Sequence, residues 1–336
     1  MSLAARAIAL TLALTAWSAT APAWAATGGY AGRAQAQSLI HSLKKAGFSA
    51  GYVRRILDSA HSEPAVINAM ERPAEAMPWY KYRRIFIRPA RVQQGAAFVH
   101  AHAGAFRRAQ TRYGVPPAVV AAILGVETRY GRHMGHYRVL DALATLSFDY
   151  PPRAHFFLSE LKQFFMVARD DHVALTQVKG SYAGAMGLPQ FIASSYRHYA
   201  VDFNHDGRTD LWQADDAIGS VANYLAKNGW QRGEPIAVPA FVSDKDSAHV
   251  KAVRFSTDTT AQALAKQGVQ PAAYLPPDLA VGLVTLQGEH TPEHWLAAKN
   301  FFVITRYNHS PLYAMAVFQL AQAIRQALSA DADHSG

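Results

Sequence analysis

Apolar residues recur at helical spacing over most of the chain. From Gln35 to Leu57, across AQSLIHSLKKAGFSAGYVRRILDSA, they fall three and four apart, with breaks at Gly47 and Gly51. Helices are predicted from Val92 to Arg112 and from Pro117 to Tyr130. The YGVPP between them ends one and starts the other, because proline in a first helical turn removes no hydrogen bond that is needed. Further helices are predicted over 152–169, 194–199 and 214–228, the last stopped at Gly229. The aromatic stretch MPWYKYRRIFIRPARVQQG reads instead as an extended traverse between subdomains.

After Gly233 the texture changes. EPIAVPAFV, VKAVRFS and LAVGLVTLQ are short β-prone runs among turn residues, which predicts a small mixed α/β subdomain over 236–303. NHSP then opens a final helix, with Ser310 as cap and Pro311 in the first turn. Val317, Leu320, Ile324 and Leu328 mark its apolar stripe. The expected class is therefore mainly α (α+β), with helical subdomains at 26–105 and 106–235 and a C-terminal helix over 309–330 that rejoins the first; no internal repeat is present.

The first 25 residues stand apart. Arg6, an apolar run from Ile8 to Trp17 and the small-residue site Ala23-Trp24-Ala25 form the layout of a cleavable secretory signal. The run is shorter than the roughly 20 apolar residues that cross a bilayer, so no stable membrane anchor is expected. The chain of 336 residues has no cysteine, which excludes a disulfide framework and a thiol-linked lipid anchor. A formal net charge of +9 and a pI near 9.7 favour anionic partners such as a cell-wall polymer or an acidic lipid surface. No nucleic-acid motif accompanies the charge, and no nucleic-acid partner is expected.

One carboxylate is out of place. In ILGVETRYG, Glu127 ends an apolar run and shares a helical stripe with Val119 and Ile123. Gly131 is expected to stop this helix, leaving Glu127 in the last turn beside the negative end of the dipole. Burial and dipole both disfavour ionisation, and a carboxyl that stays protonated near neutral pH suits the general acid of a glycosidase. The alternative from position alone is a buried glutamate paired with Arg129 or Arg132 to hold the helix end.

The surrounding sequence bears on that choice. GVETRYGRHMGHYRVLDALATLSFDYPPRAHFF, GSYAGAMGLPQFIASSYRHYAVDFNHDGRTDLWQADDAIGSVANYLAKNGW and FFVITRYNHSPLYAMAVFQLAQAI resemble the lytic murein transglycosylases of the B type. The resemblance implies a lysozyme-like helical core, a flanking helical subdomain and a small β-containing one. It also implies cleavage of the β-1,4 bond between N-acetylmuramic acid and N-acetylglucosamine in peptidoglycan. The muramoyl 6-hydroxyl closes on the anomeric carbon, giving a 1,6-anhydro end without water.

By the same resemblance Glu127 is the catalytic acid and then the base, so the second carboxylate of ordinary glycosidases is not required. Asp141 and Asp149 are the nearest alternatives in sequence, and neither is assigned a role. Ser181 and Gln190 are implied to contact substrate around the scissile bond, and Tyr224, Tyr307 and Asn308 to wall and polarise the site. Tyr82 and Arg153 are further candidates for substrate contact. Pro152 departs from the family, which often has a second arginine there, and this puts the grip on the peptide stem in doubt. In SYAGAMGLPQF the small residues around Gly184 and Gly187 are expected to let main chain approach a sugar closely.

DFNHDGRTDLW places Asp202, Asn204, Asp206, Gly207 and Asp210 at positions 1, 3, 5, 6 and 9 of an EF-hand-like loop. Position 12 is Gln213 in place of the bidentate glutamate. The resemblance implies an enlarged loop closed by Asp216, with calcium held by Asp202, Asn204, Asp206, the Arg208 carbonyl and Asp216, and Asp210 a weaker candidate. The expected role of the ion is structural. The expected setting is periplasmic, with peptidoglycan strands as partner and cell-wall synthesis proteins as a candidate second one. Two other functions fit some of these features: a lysozyme-like hydrolase using water, and a non-catalytic glycan-binding scaffold.

Overall fold

A computed structural model describes residues 29–71, 77–242 and 257–334. The predicted signal at 1–25 and the β-prone VKAVRFS lie outside the described residues. The fold is mainly helical. At the N-terminal end come, in chain order, α1 (Ala34–Lys45), α2 (Ala50–Asp58), α3 (Pro64–Met70), α4 (Trp79–Phe86), α5 (Pro89–Ala101) and α6 (Ala103–Tyr113). The break between α1 and α2 falls at Gly47, which has φ 93°, a conformation that costs glycine little.

The stretch expected to run extended is instead α4 and the start of α5. Pro78 and Pro89 punctuate it: Pro78 precedes the first turn of α4 and Pro89 opens α5. Trp79 and Tyr82, three apart, are the buried residues of α4, so the aromatics mark a helix face. The single helix predicted from Val92 to Arg112 is two, parted at His102 with φ −119° and ψ 30°. Phe98 and Phe106 meet edge to face across the break, with centroids 5.9 Å apart.

At the centre lies α7 (Pro117–Thr128), with Pro117 at its first position. Every residue from Ala118 to Gly125 is buried, so α7 is apolar on all sides and has no single stripe. It packs against α14 (Pro311–His334), α5, α6 and α11 (Ala214–Lys227). After it come the short strand β1 (Tyr137–Arg138), α8 (Val139–Phe148), α9 (Ala154–Asp170), β2 (Lys179–Gly180) and α10 (Ala193–Tyr199). The sequence pattern does not mark the buried α8, because its core residues occupy nearly every face and leave no helical period to read.

The β-containing part is a five-stranded antiparallel sheet in the order β4-β6-β7-β3-β5. Its strands are β3 (Ala237–Val242), β4 (Thr259–Thr260), β5 (Val269–Pro271), β6 (Ala280–Leu286) and β7 (Glu293–Ala298), with α12 (Ala261–Ala265) after β4. Alternation along β6 sends Val281 and Leu283 to a small core with Leu264, Val269 and Leu296. It sends Val284 and Leu286 to the main helical core. Both faces are thus covered, which accounts for the nearly continuous apolar run in LAVGLVTLQ. The chain returns through α13 (Lys299–Ile304) into α14, where the Ser310 hydroxyl accepts the Tyr313 N–H at 3.4 Å, the capping contact expected of Ser310.

Candidate active site

Glu127 occupies the last turn of α7, and the turn that follows is unusual. Arg129, Tyr130 and Gly131 have φ values of 52°, 59° and 85°, three left-handed residues in a row. The helix thus stops at Thr128, before the expected Gly131. Thr128 ties the turn down: its hydroxyl donates to the Leu188 carbonyl at 2.9 Å and accepts the Gly131 N–H at 3.0 Å. The Tyr130 hydroxyl donates to the Arg91 carbonyl at 3.0 Å. That hydroxyl also occupies the space over two glycines: a Cβ at Gly95 would come within 2.5 Å of it, and one at Gly125 within 2.6 Å.

The Glu127 carboxylate has one hydrogen bond among the described residues, from the Tyr313 hydroxyl to Oε1 at 2.6 Å. Among the described residues no ion pair reaches it; Arg129 donates to Gln94 Oε1 at 2.9 Å instead. Glu127 keeps partial solvent access, yet desolvation by the surrounding protein pushes its carboxyl up to about 7, against the lowering effect of the Tyr313 hydrogen bond. Tyr307 and Tyr313 are both raised well above the usual phenol, first by burial and then by the neighbouring Glu127 charge.

An aromatic wall extends from this pair. Tyr313 stacks on Tyr307 with centroids 6.3 Å apart, and Tyr307 meets Tyr224 at 4.8 Å. Their hydroxyls are committed to main chain: Tyr307 donates to Pro189 O and Tyr224 to Arg306 O, each at 2.5 Å. Phe191 and Tyr199 complete the cluster. Tyr224 and Tyr199 also line a cavity of about 650 Å³ bounded by Ser194, Arg197 and His198. On α4, Tyr82 lies close enough to Tyr313 to disfavour its ionisation.

Ser181 and Gln190 flank the bridges Gly180–Met186 and Met186–Phe191, the second of which reaches the aromatic cluster. The Ser181 hydroxyl accepts the N–H groups of Ala183 and Ala185 at 3.2 and 3.0 Å. Gln190 has φ 51°, and its amide nitrogen donates to Met134 O at 3.2 Å and Gly187 O at 2.9 Å, which fixes the side chain. The glycines between serve the protein's own packing: a Cβ at Gly184 would meet Leu143 at 2.5 Å, and one at Gly187 would meet Leu211 at 2.6 Å. Asn308 is exposed in the turn before α14, and its side chain has no hydrogen-bond partner among the described residues. Arg153 lies over the rings of Phe156 and Phe157 at 4.5 and 5.2 Å.

Asp141 and Asp149 are held elsewhere. Asp141 pairs with Arg138 and accepts the His61 N–H. Asp149 pairs with Arg33 and accepts the Tyr30 hydroxyl at 2.8 Å. Tyr313, the hydrogen-bond partner of Glu127, is not singled out by any motif in the sequence. The apolar stripe of the last helix, extended one turn back from Val317, lands on it, and a phenol buried there needs a polar partner.

In the 202–216 loop the donor set is oxygen only, which suits a hard cation. Asp202 accepts the N–H groups of Asp206 and Gly207, and Asp206 accepts that of Arg208. Asp216 is fully buried, meets no cation among the described residues and accepts the N–H groups of Phe203, Asn204 and Asp210. Gly207 takes φ 87° at the turn. Among the described residues no three His, Asp or Glu side chains already converge as a metal cluster. The residues fit calcium in chemistry, and each carboxylate is at present satisfied by loop main chain.

The class follows from comparison with known proteins: this is a lytic transglycosylase with a lysozyme-like helical core. The family described as Transglycosylase SLT domain matches residues 31–322, and the chain belongs to it. Over 308 residues it is 42% identical to Membrane-bound lytic murein transglycosylase B of Escherichia coli, covering 88% of this chain and 84% of that one. The structure of Escherichia coli lytic transglycosylase Slt35 in complex with calcium aligns with a TM-score of 0.83 and 41% identity, over 90% of this chain and 96% of that one. SltB3 of Pseudomonas aeruginosa in complex with NAG-anhNAM-pentapeptide aligns with a TM-score of 0.78 and 32% identity, over 86% of this chain and 78% of that one. No helix among the described residues is long and apolar enough to cross a membrane.

Proposed function

We propose that the protein is an exported, periplasmic enzyme that cleaves the β-1,4 bond between N-acetylmuramic acid and N-acetylglucosamine in peptidoglycan, with Glu127 as acid and then base. The observation that carries this is the Glu127 carboxyl, desolvated to a value of about 7 and oriented by Tyr313. A group that titrates there can both give and take a proton at neutral pH. Glu127 protonates the leaving glycosidic oxygen as the C1–O bond breaks. Its carboxylate then takes the proton of the muramoyl 6-hydroxyl as that oxygen bonds to C1. The 1,6-anhydro end forms, water is not consumed and the carboxyl is restored.

A second carboxylate is unnecessary in this scheme, and Asp141 and Asp149 are occupied by Arg138 and Arg33. Ser181, Gln190 and Asn308 supply polar contacts to the sugars, and Tyr224, Tyr307 and Tyr82 the aromatic wall. Arg153 is a further substrate contact. The anhydro product in the SltB3 complex supports the same outcome here.

The 202–216 loop takes calcium through Asp202, Asn204, Asp206, the Arg208 carbonyl and Asp216. Its oxygen donors and the calcium complex of Slt35 support this. The ion stiffens the loop, and no proton transfer passes through it.

Digestion of purified peptidoglycan by wild type and Glu127→Gln, followed by mass spectrometry of the fragments, tests the proposal. Anhydromuramoyl ends from wild type are expected, with the rate falling about 10²- to 10⁴-fold in the variant. Reducing ends would assign the water-using hydrolase, and unchanged degradation would remove Glu127 from catalysis.

A further inference from the structure

A cavity of about 470 Å³ is bounded by Arg107, Arg108, Thr111 and Arg112 of α6, together with Phe203 and His205 of the 202–216 loop. Neither the proton transfers nor the aromatic wall uses any of these residues. α6 buries Ala105, Phe106 and Ala109, and its three arginines stay exposed. Arg107 and Thr111 are four apart, as are Arg108 and Arg112, so each pair stacks along the helix surface. Gly104 adds no side chain to this lining: a Cβ there would have only Arg108 Nη1 within 4 Å, at 3.5 Å. That end of the cavity is therefore open.

The charge here is not balanced. α6 carries no acidic residue. Asp215 meets Arg108 at 2.9 Å, and among the described residues no carboxylate lies within ion-pairing distance of Arg107 or Arg112. A fourth guanidinium, that of Arg232, donates to the Thr111 carbonyl at 2.8 Å. Like charges one turn apart repel, so an anion that enters relieves a cost already present. Two of the cations are also held in place: Arg108 lies over the Phe203 ring at 5.3 Å and Arg112 over the Tyr113 ring at 5.2 Å. A protein partner would look for an apolar centre. The exposed large apolar side chains, Tyr52, Ile85, Phe156, Tyr182, Phe241 and Tyr274, all lie outside this lining. A carboxylate, with two oxygens and one charge, is satisfied by a single guanidinium fork. A phosphate group has the oxygens and the charge for two forks and the Thr111 hydroxyl.

We infer that this cavity binds a phosphate-bearing anion, with Arg107 and Arg112 as its charged donors, Thr111 as a neutral one and Arg108, held by Asp215, adding to the positive field. The phosphate belongs either to a soluble phosphomonoester or to the headgroup of an anionic phospholipid. The inference is independent of the peptidoglycan reading, because neither Arg107 nor Arg112 serves the proton transfers or the sugar contacts.

Calorimetric titration of the full chain with glycerol phosphate, and with glycerate as a carboxylate of similar size, tests the site. Cosedimentation with phosphatidylcholine vesicles, with and without phosphatidylglycerol, separates the two sources. Glycerol phosphate is expected to bind about tenfold more tightly than glycerate, and Arg107→Gln and Arg112→Gln each to weaken it about tenfold. Partition onto the phosphatidylglycerol vesicles that the double variant loses would assign the headgroup. Binding of glycerol phosphate without such partition would assign a soluble phosphate; either result supports the site. The double variant alters two exposed positions and should digest peptidoglycan at the wild-type rate, which shows that it folds. Equal affinity for glycerate, binding that persists in the double variant, or the lack of both phosphate binding and vesicle partition would overturn the inference.

Discussion

At Glu127 two opposing influences act on one carboxyl. Desolvation raises it and the Tyr313 hydroxyl lowers it, and desolvation prevails. The folded state holds this proton more tightly than the unfolded chain does. The group's favourable share of stability is therefore complete below about 4.5 and lost as pH rises through about 7. Glu127→Gln should consequently be more stable than wild type at pH 8, by about 1–3 kcal/mol, and equal to it at pH 4; denaturant titrations at the two values check this. Activity should fall as pH rises past about 7, because the acid is then spent. Tyr313→Phe should cost about 1 kcal/mol of stability and move that limb to higher pH, since the lowering hydrogen bond is gone. A pH–rate profile of the variant reads the shift. Glu127 was legible because a lone charge interrupts an apolar run, whereas Tyr313 sits 186 residues away and looks like core until its partner is seen.

The element that holds Glu127 in place is the end of α7, locked by Tyr130. Its hydroxyl over Gly95 of α5 and Gly125 of α7, and its bond to Arg91 O, fix a turn of three left-handed residues. Tyr130→Ala should destabilise the fold by about 3–5 kcal/mol through the void it leaves, and Gly95→Ala by about 1–3 kcal/mol through overpacking against Tyr130 and Ile324. Thermal unfolding of both variants measures these costs. The turn was not legible from the sequence: glycine at 131 points to a helix stop, but the decisive contacts come from α5. The same limit explains α4 and the break at His102, where tertiary burial of Trp79, Tyr82 and Phe106 decided what local pattern left open.

Across the whole molecule, the helical core and the sheet depend on contacts far apart in sequence. Tyr30 stacks on Phe148 with centroids 5.0 Å apart, and Arg33 pairs with Asp149, joining the first described helix to the core. Trp295 of the sheet meets Phe318 of α14 edge to face at 6.0 Å. The general layout was readable because helical and strand periods change along the chain; the order of the strands was not, since non-consecutive pairing is set by faces that meet only after folding. Calcium at a hundredfold excess over its dissociation constant should stabilise the fold by about 2.7 kcal/mol, seen as a higher melting temperature than after chelation. Asp202→Ala should abolish that rise. The most direct measurement on the whole proposal is the titration of the Glu127 side-chain carboxyl in the intact protein, followed by carbon-13 NMR with Glu127→Gln to assign the signal. A midpoint near 7 is expected; a midpoint near the ordinary glutamate value of about 4.3 would contradict a carboxyl that keeps its proton until the glycan arrives.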